Sequence, residues 1–197
     1  RSIWVTGVQT CALPISEDLC QALGVHPESK YQNRDGPGPE TILKLLMSES
    51  SRPAEDCSRF FDALIFNALI GGTDAHAKNY TLLHSGGRVR LAPLYDIGSA
   101  LPYYDIRDLK LAMKIGRHYE LASINARDWD RLGTTAGIEA PRKRMRAMAQ
   151  ALPEHVEVLF REFKAQGLAT SVIGTMRTSI LQQVKRTLQM LDAAGGH

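Results

Sequence analysis

The most regular hydrophobic pattern in the chain lies between Pro53 and Ile70, where Phe60, Phe61, Leu64, Ile65, Ala68 and Leu69 recur at helical spacing. An apolar face that wide belongs to a helix at the centre of a core. Gly71 and Gly72 end it, so the polar segment Thr73 to Asn79 must be a loop held against that core. Tyr80 to His84, a Ser85-Gly86-Gly87 turn and Arg88 to Ala92 then read as a β-hairpin, closed by Pro93. Leu94 to Gly98 follows as a second polar loop in apolar surroundings.

The flanks are simpler. Glu17 to Gly24 reads as a short helix and Val25 to Gly38, rich in turn formers, as irregular chain. A helix opens at Pro39, with Ile42, Leu45 and Leu46 on one face, and Leu109 to Ile115 is a candidate strand. Helices are predicted over Ala126 to Ala136, Pro141 to Ala151, Pro153 to Gln166 and Ala169 to Ala194, with Pro153 as a break. The fold class is therefore mainly α, one domain with a small β-hairpin beside two polar loops.

Composition narrows the function classes. The formal charge of +3, from 24 basic and 21 acidic residues, is too balanced to imply nucleic-acid binding without a local cluster. The one basic run, Arg142-Lys143-Arg144 with Arg146, has no interleaved aromatics and reads as a solvated helix start. No apolar run approaches the roughly 18 residues that span a bilayer, which points to a cytoplasmic protein without a membrane partner. Cys11, Cys20 and Cys57 lack the close spacing of a zinc or redox motif and are expected to be reduced. Residues 1–16 resemble translated sequencing-adapter read-through and are set apart as non-native, leaving residues 17–197 as the folded unit.

The chemistry concentrates in the two loops. Asn79 lies five residues after Asp74, a hairpin follows, and Asp96-Ile97-Gly98 comes next. Protein kinases use that order: a catalytic Asp, an Asn five residues on, a hairpin, then a metal-binding Asp-Phe-Gly turn. Phosphoryl transfer needs one carboxylate at the acceptor hydroxyl, hard oxygen ligands for magnesium on the nucleotide phosphates, and a nearby cation. Ile97 replaces the Phe, Gly72-Thr73 replaces the His-Arg before the Asp, and His76 stands where Lys is usual, with Lys78 able to restore the charge. Lys78 could equally be a solvated loop charge, and Tyr95 a packing ring beside the metal loop. A zinc site on His76 and His84 lacks further ligands at suitable spacing.

The strings NALIGGTDAHAKNYTLL, LAPLYDIGSALP, DLKLAM and EDLCQALGVHPESKY followed by GPG resemble the HipA-like serine/threonine kinases, in the right order and from Glu17 to the C-terminus. The resemblance implies a protein-kinase-like C-terminal lobe with Asp74 as catalytic base. His76, Ala77, Lys78, Asn79, Tyr95 and Asp96 would line ATP phosphates and Mg2+, with Asn79 and Asp96 as the metal ligands. It further implies a protein Ser or Thr as acceptor and a HipB-like antitoxin as partner, with DNA met only through that antitoxin. No glycine-rich loop or nucleotide-anchoring Lys precedes Asp74, and Gly36-Pro37-Gly38 is a poor substitute, so the chain alone is expected to bind ATP weakly. Two other readings stand beside this one: an inactive lobe that binds an antitoxin-like partner, and a kinase acting on a small-molecule hydroxyl.

Overall fold

The computed structural model describes residues 15–194. The expected class holds: six α-helices and two small antiparallel sheets make up its regular structure, with short 3-10 turns between them. Strand β1 (Ile15–Asp18) pairs with β2 (Thr81–Ser85), which pairs with β3 (Arg88–Leu91).

The hairpin is therefore the β2–β3 half of a three-stranded sheet. Its first strand was expected to be the start of a helix. Glu17 and Asp18 instead face Leu82 and Thr81 across the sheet, and the helix α1 (Leu19–Ala22) begins only after them. The cause is local. Asp18 accepts from the backbone N–H groups of Cys20 and Gln21 at 2.9 and 3.0 Å, while the Gln21 side chain accepts from Asp18 N–H at 3.0 Å, a reciprocal cap that fixes the boundary. Of the stretch set apart as non-native, residues 1–14 lie outside the described residues; Ile15 and Ser16 pair with His84 and Leu83.

Helix α3 (Pro53–Ile70) is the central element that its apolar pattern predicts. Phe60, Phe61, Ile65 and Leu69 are completely buried. Phe61 meets Trp129 edge-on, and Phe60 meets Tyr80 the same way at 4.9 Å between centroids. Around α3 stand α2 (Pro39–Glu49), α4 (Ala126–Thr135), α5 (Pro141–Ala165) and α6 (Ser171–Ala193). A second hairpin, β4 (Lys110–Ile115) with β5 (His118–Glu120), turns at Gly116, whose φ is +64°.

Pro153 does not break the chain into two helices: α5 runs through it. Proline removes one N–H bond to the carbonyl four residues back. Here α5 and α6 lie side by side, Arg177 gripping Glu157 through Nε and Nη2 just beyond the proline, and that packing outweighs the lost bond. The basic run at the start of α5 forms no free patch, because Arg142 is paired with Asp130, Arg144 with Asp62 and Arg146 with Asp192. Among the described residues no helix is long and apolar enough to cross a membrane, and Cys20 and Cys57 are buried free thiols.

Candidate active site

Both polar loops hang from the C-terminal end of α3. Gly71, at φ +65°, turns the chain off the helix, and Gly72 N–H bonds to the Asn67 carbonyl at 2.7 Å. A Cβ on Gly72 would come within 2.3 Å of Asn67 Oδ1, so only glycine lets the loop pass this close to the helix. Beyond it, Ala77–Asn79 forms a 3-10 turn closed at both ends: Asn79 N–H donates to the His76 carbonyl at 3.0 Å, and His76 N–H donates to Asn79 Oδ1 at 3.1 Å.

That second bond orients the Asn79 amide. With Oδ1 committed to an N–H donor, Nδ2 faces outward and donates to Asp96 Oδ2 at 2.5 Å. The two side chains expected to converge across the hairpin do converge. Asp96 sits at φ +55°, a left-handed conformation that costs a residue with a Cβ about 1 kcal/mol or more. The loop that carries Asp96 is held in this shape from two sides. Tyr95 donates its hydroxyl to the Lys78 carbonyl at 2.6 Å, which leaves Thr81 Oγ1, at 2.7 Å, as donor to Tyr95. Upstream, Arg59 on α3 binds the Leu91 and Ala92 carbonyls at 2.8 and 3.2 Å, fixing the strand end that leads into Pro93.

Asp56 supports this anchor from below. Fully buried, it accepts from Ser50 Oγ at 2.6 Å, Leu91 N–H at 2.9 Å, and Arg90 Nε and Nη2 at 3.0 and 3.1 Å. Burial alone would push its carboxyl pKa up; the Arg90 guanidinium and the other donors outweigh that and hold it below the usual value.

Asp74 and Asp96 line one cleft of about 260 Å³ together with Asn67, Thr73 and Ser99. Asp74 is open to solvent, and its Oδ1 accepts the Tyr31 hydroxyl at 2.6 Å. His76 is buried, with Nε2 4.0 Å from the same oxygen and Nδ1 without a protein partner. Burial, with Lys30 nearby, lowers its pKa, so the imidazole is neutral at pH 7. Asn79 and Asp96 thus meet through Nδ2–H and Oδ2 where Asp96 borders the cleft.

Other expected site residues lie elsewhere. Lys78 does not face the cleft but pairs with Asp18 at 2.9 Å; burial works against the Asp18 carboxylate, yet Lys78 and the α1 cap keep its pKa below the usual value. Ala77 is wholly buried under Lys30, whose carbonyl takes its N–H at 3.4 Å. Tyr95 contributes its hydroxyl to the loop scaffold, with the ring half-exposed. His84 pairs with Glu17 at 3.1 Å across the sheet. Three residues that sequence patterns missed complete the site: Tyr31, Asn67, and Ser99, which donates to the Ile70 carbonyl at 2.5 Å.

Comparison with known proteins identifies the family and the fold. A family model described as the HipA-like C-terminal domain matches residues 14–158. Putative kinase Y4mE of Sinorhizobium fredii is 37% identical over 168 residues, covering 80% of this chain and 40% of its own length. The serine/threonine-protein kinase toxin HipA of Shewanella oneidensis is 26% identical over 190 residues, covering 89% of this chain and 43% of its own. The solved complex of HipA, HipB and operator DNA from S. oneidensis MR-1 contains a chain with the same fold, at a TM-score of 0.78 and 24% identity, matching 90% of this chain and 45% of that one. The chain thus spans less than half the length of these relatives. With the family model matched over most of its length and the kinase-like fold in common, this chain belongs to the HipA-like C-terminal domain family.

Proposed function

We propose that this chain carries the acceptor and metal side of an ATP-dependent kinase site that phosphorylates serine or threonine hydroxyls of a protein. The observation that supports this most is the contact of Asn79 with Asp96 beside the cleft that Asp74 also lines. The residue types fit magnesium: Asp96 offers a carboxylate whose Oδ1 is free of protein hydrogen bonds among the described residues, and Asn79, which touches Asp96 through Nδ2, would supply its carboxamide oxygen once the amide turns about its Cβ–Cγ bond. Magnesium usually takes only one or two protein ligands and leaves the rest to phosphate and water.

When bound, magnesium-ATP supplies the phosphoryl group and neutralises charge on the phosphates. The chain's own residues orient and bind. Asp96 and Asn79 would hold the cation; Asp74, solvent-facing and paired with no Lys or Arg among the described residues, accepts the proton of the incoming hydroxyl. Neutral His76 adds no charge and supports the loop from beneath, and Lys78, bound to Asp18, secures the loop to α1.

The partner follows by analogy with the relative solved beside HipB and operator DNA. We assign a HipB-like protein as partner of the family member to which this chain belongs, with DNA reached through that partner and the assembly in the cytoplasm.

Two measurements test the kinase reading. Manganese bound together with ATP, followed by paramagnetic relaxation of water protons, is expected to be retained in Asp74→Asn and lost in Asp96→Ala. Transfer of labelled phosphate from ATP to protein serine or threonine is expected to fall by about a hundredfold or more in Asp74→Asn, the usual contribution of a positioned base. Equal transfer by wild type and Asp74→Asn would remove Asp74 from the reaction.

A further inference from the structure

The segment before α2 folds over the catalytic loop, and one hydroxyl in it touches the residue that the proposed reaction needs most. Both protein groups near the Asp74 carboxylate approach the same atom: Tyr31 OH at 2.6 Å and His76 Nε2 at 4.0 Å lie on Oδ1, and Oδ2 has no protein hydrogen bond among the described residues. We infer that Tyr31 is a positioning residue of the site, holding Oδ1 of Asp74 so that Oδ2 is the oxygen presented to the acceptor hydroxyl. This inference rests on the kinase reading above and names a residue that neither sequence spacing nor the kinase pattern assigns.

A positioning role requires that the phenol itself be held, and it is. Its ring packs edge-on against buried His76 at 5.0 Å between centroids, and Lys30 Nζ lies 5.1 Å from the ring centre. The Tyr31 carbonyl accepts from the N–H groups of Arg34 and Gly36 at 2.9 and 3.0 Å. A Cβ on Gly36 would sit 2.6 Å from that carbonyl oxygen and 2.2 Å from the Ser29 carbonyl, so glycine is what allows the loop to close on itself. One residue on, Gln32 Oε1 accepts from Lys114 N–H at 2.6 Å, and a Cβ on Gly38 would strike the Gln32 amide at 2.2 Å. Both glycines of Gly36-Pro37-Gly38 thus serve the loop that carries Tyr31. The phenol's own pKa is raised, first by its bond to Asp74, so the hydroxyl remains a proton donor through the physiological range.

A competing view is that the Tyr31 hydroxyl occupies the acceptor's place and blocks the site. Tyr31→Phe separates the two, since the ring and its packing remain. Positioning predicts that kcat falls about tenfold in Tyr31→Phe while KM for ATP is unchanged. It also predicts that Gly36→Ala, which displaces the hydroxyl without removing it, lowers kcat as well. In the full chain labelled with carbon-13 at tyrosine Cζ, the Tyr31 signal, assigned by its absence in Tyr31→Phe, is expected to move upfield in Asp74→Ala as the hydrogen bond is lost. An unchanged or raised kcat in Tyr31→Phe, or a Cζ signal indifferent to Asp74→Ala, overturns the inference. Transfer lost in Asp74→Asn but kept in Tyr31→Phe removes Tyr31 alone; transfer equal in wild type and Asp74→Asn removes the kinase reading instead.

Discussion

Replacing Asp56 by alanine would test how the sheet is fastened to the core and, through it, how the loop with Asp96 is carried. The carboxylate is completely buried and serves two Arg90 nitrogens, the Leu91 N–H and the Ser50 hydroxyl at 2.6–3.1 Å. Deleting one partner of a buried ion pair costs about 3–5 kcal/mol, chiefly because the other groups are stranded. Two features place Asp56→Ala at the lower end. Arg90 keeps Glu55 at 2.6 Å, and Arg59 keeps its bonds to the Leu91 and Ala92 carbonyls. The expected loss is therefore about 3 kcal/mol, a fall in Tm of roughly 6–12 °C for a domain of this size. Circular dichroism melts of wild type, Asp56→Ala and Glu55→Gln provide the comparison, Glu55→Gln being expected to shift Tm far less because the Glu55 pair is exposed and screened by solvent. The sign of the pH effect is fixed as well. A carboxyl whose folded pKa lies below its unfolded value of about 3.9 gives its full stabilisation above that pH and loses it as pH falls through the folded value. The gap between wild type and Asp56→Asn should thus be constant from neutrality to about pH 5 and close below pH 4. A Tm drop under about 3 °C in Asp56→Ala would mean that the network carries little, and the account of the anchored strand would fail.

Three further outcomes follow from the loop geometry. Gly72→Ala drives a Cβ to 2.3 Å from Asn67 Oδ1 and should cost about 1–3 kcal/mol in urea unfolding; a neutral result would show that Asn67 yields freely. Asp96→Gly removes a left-handed residue with a Cβ, a relief of about 1 kcal/mol that offsets the lost Asn79 contact, so it should melt no lower than wild type while losing manganese-ATP binding. A clear drop in Tm would mean that the backbone at Asp96 is not strained. Lys78→Met and Asp18→Asn should each lower Tm slightly and together hardly more than either alone, since they break one partly exposed pair; full additivity in the double-mutant cycle would separate them.

Local pattern made α3, the β2–β3 hairpin and the Asp74, Asn79 and Asp96 spacing legible, because each is set by periodicity or turn residues a few positions apart. Contacts between remote segments were not legible. Tyr31 meets Asp74 across 43 positions, and Lys78 meets Asp18 across 60, so no window on the sequence joins them. Lys78 is assigned to phosphate in the sequence because a cation is missing there, whereas its partner Asp18, read as part of a helix start, is the cap that follows a strand. Strand β1 was hidden by its acidic residues, which suit a helix start as well as an edge strand, and only pairing with β2 decides between them. Pro153 misled for the opposite reason: its local preference was read correctly, and packing of α5 on α6 overrode it. The Gly36 and Gly38 signal was visible but attributed to no function, since its meaning lies in the backbone oxygens and the Gln32 amide that crowd those two positions.

The phenol of Tyr95 fastens the stretch before β2 to the stretch after β3. It reaches the Lys78 carbonyl and Thr81 at once, while Asn79 grips Asp96 alongside. Swinging one stretch outward would break all three of these bonds together, so the two are expected to move as one body rather than one against the other.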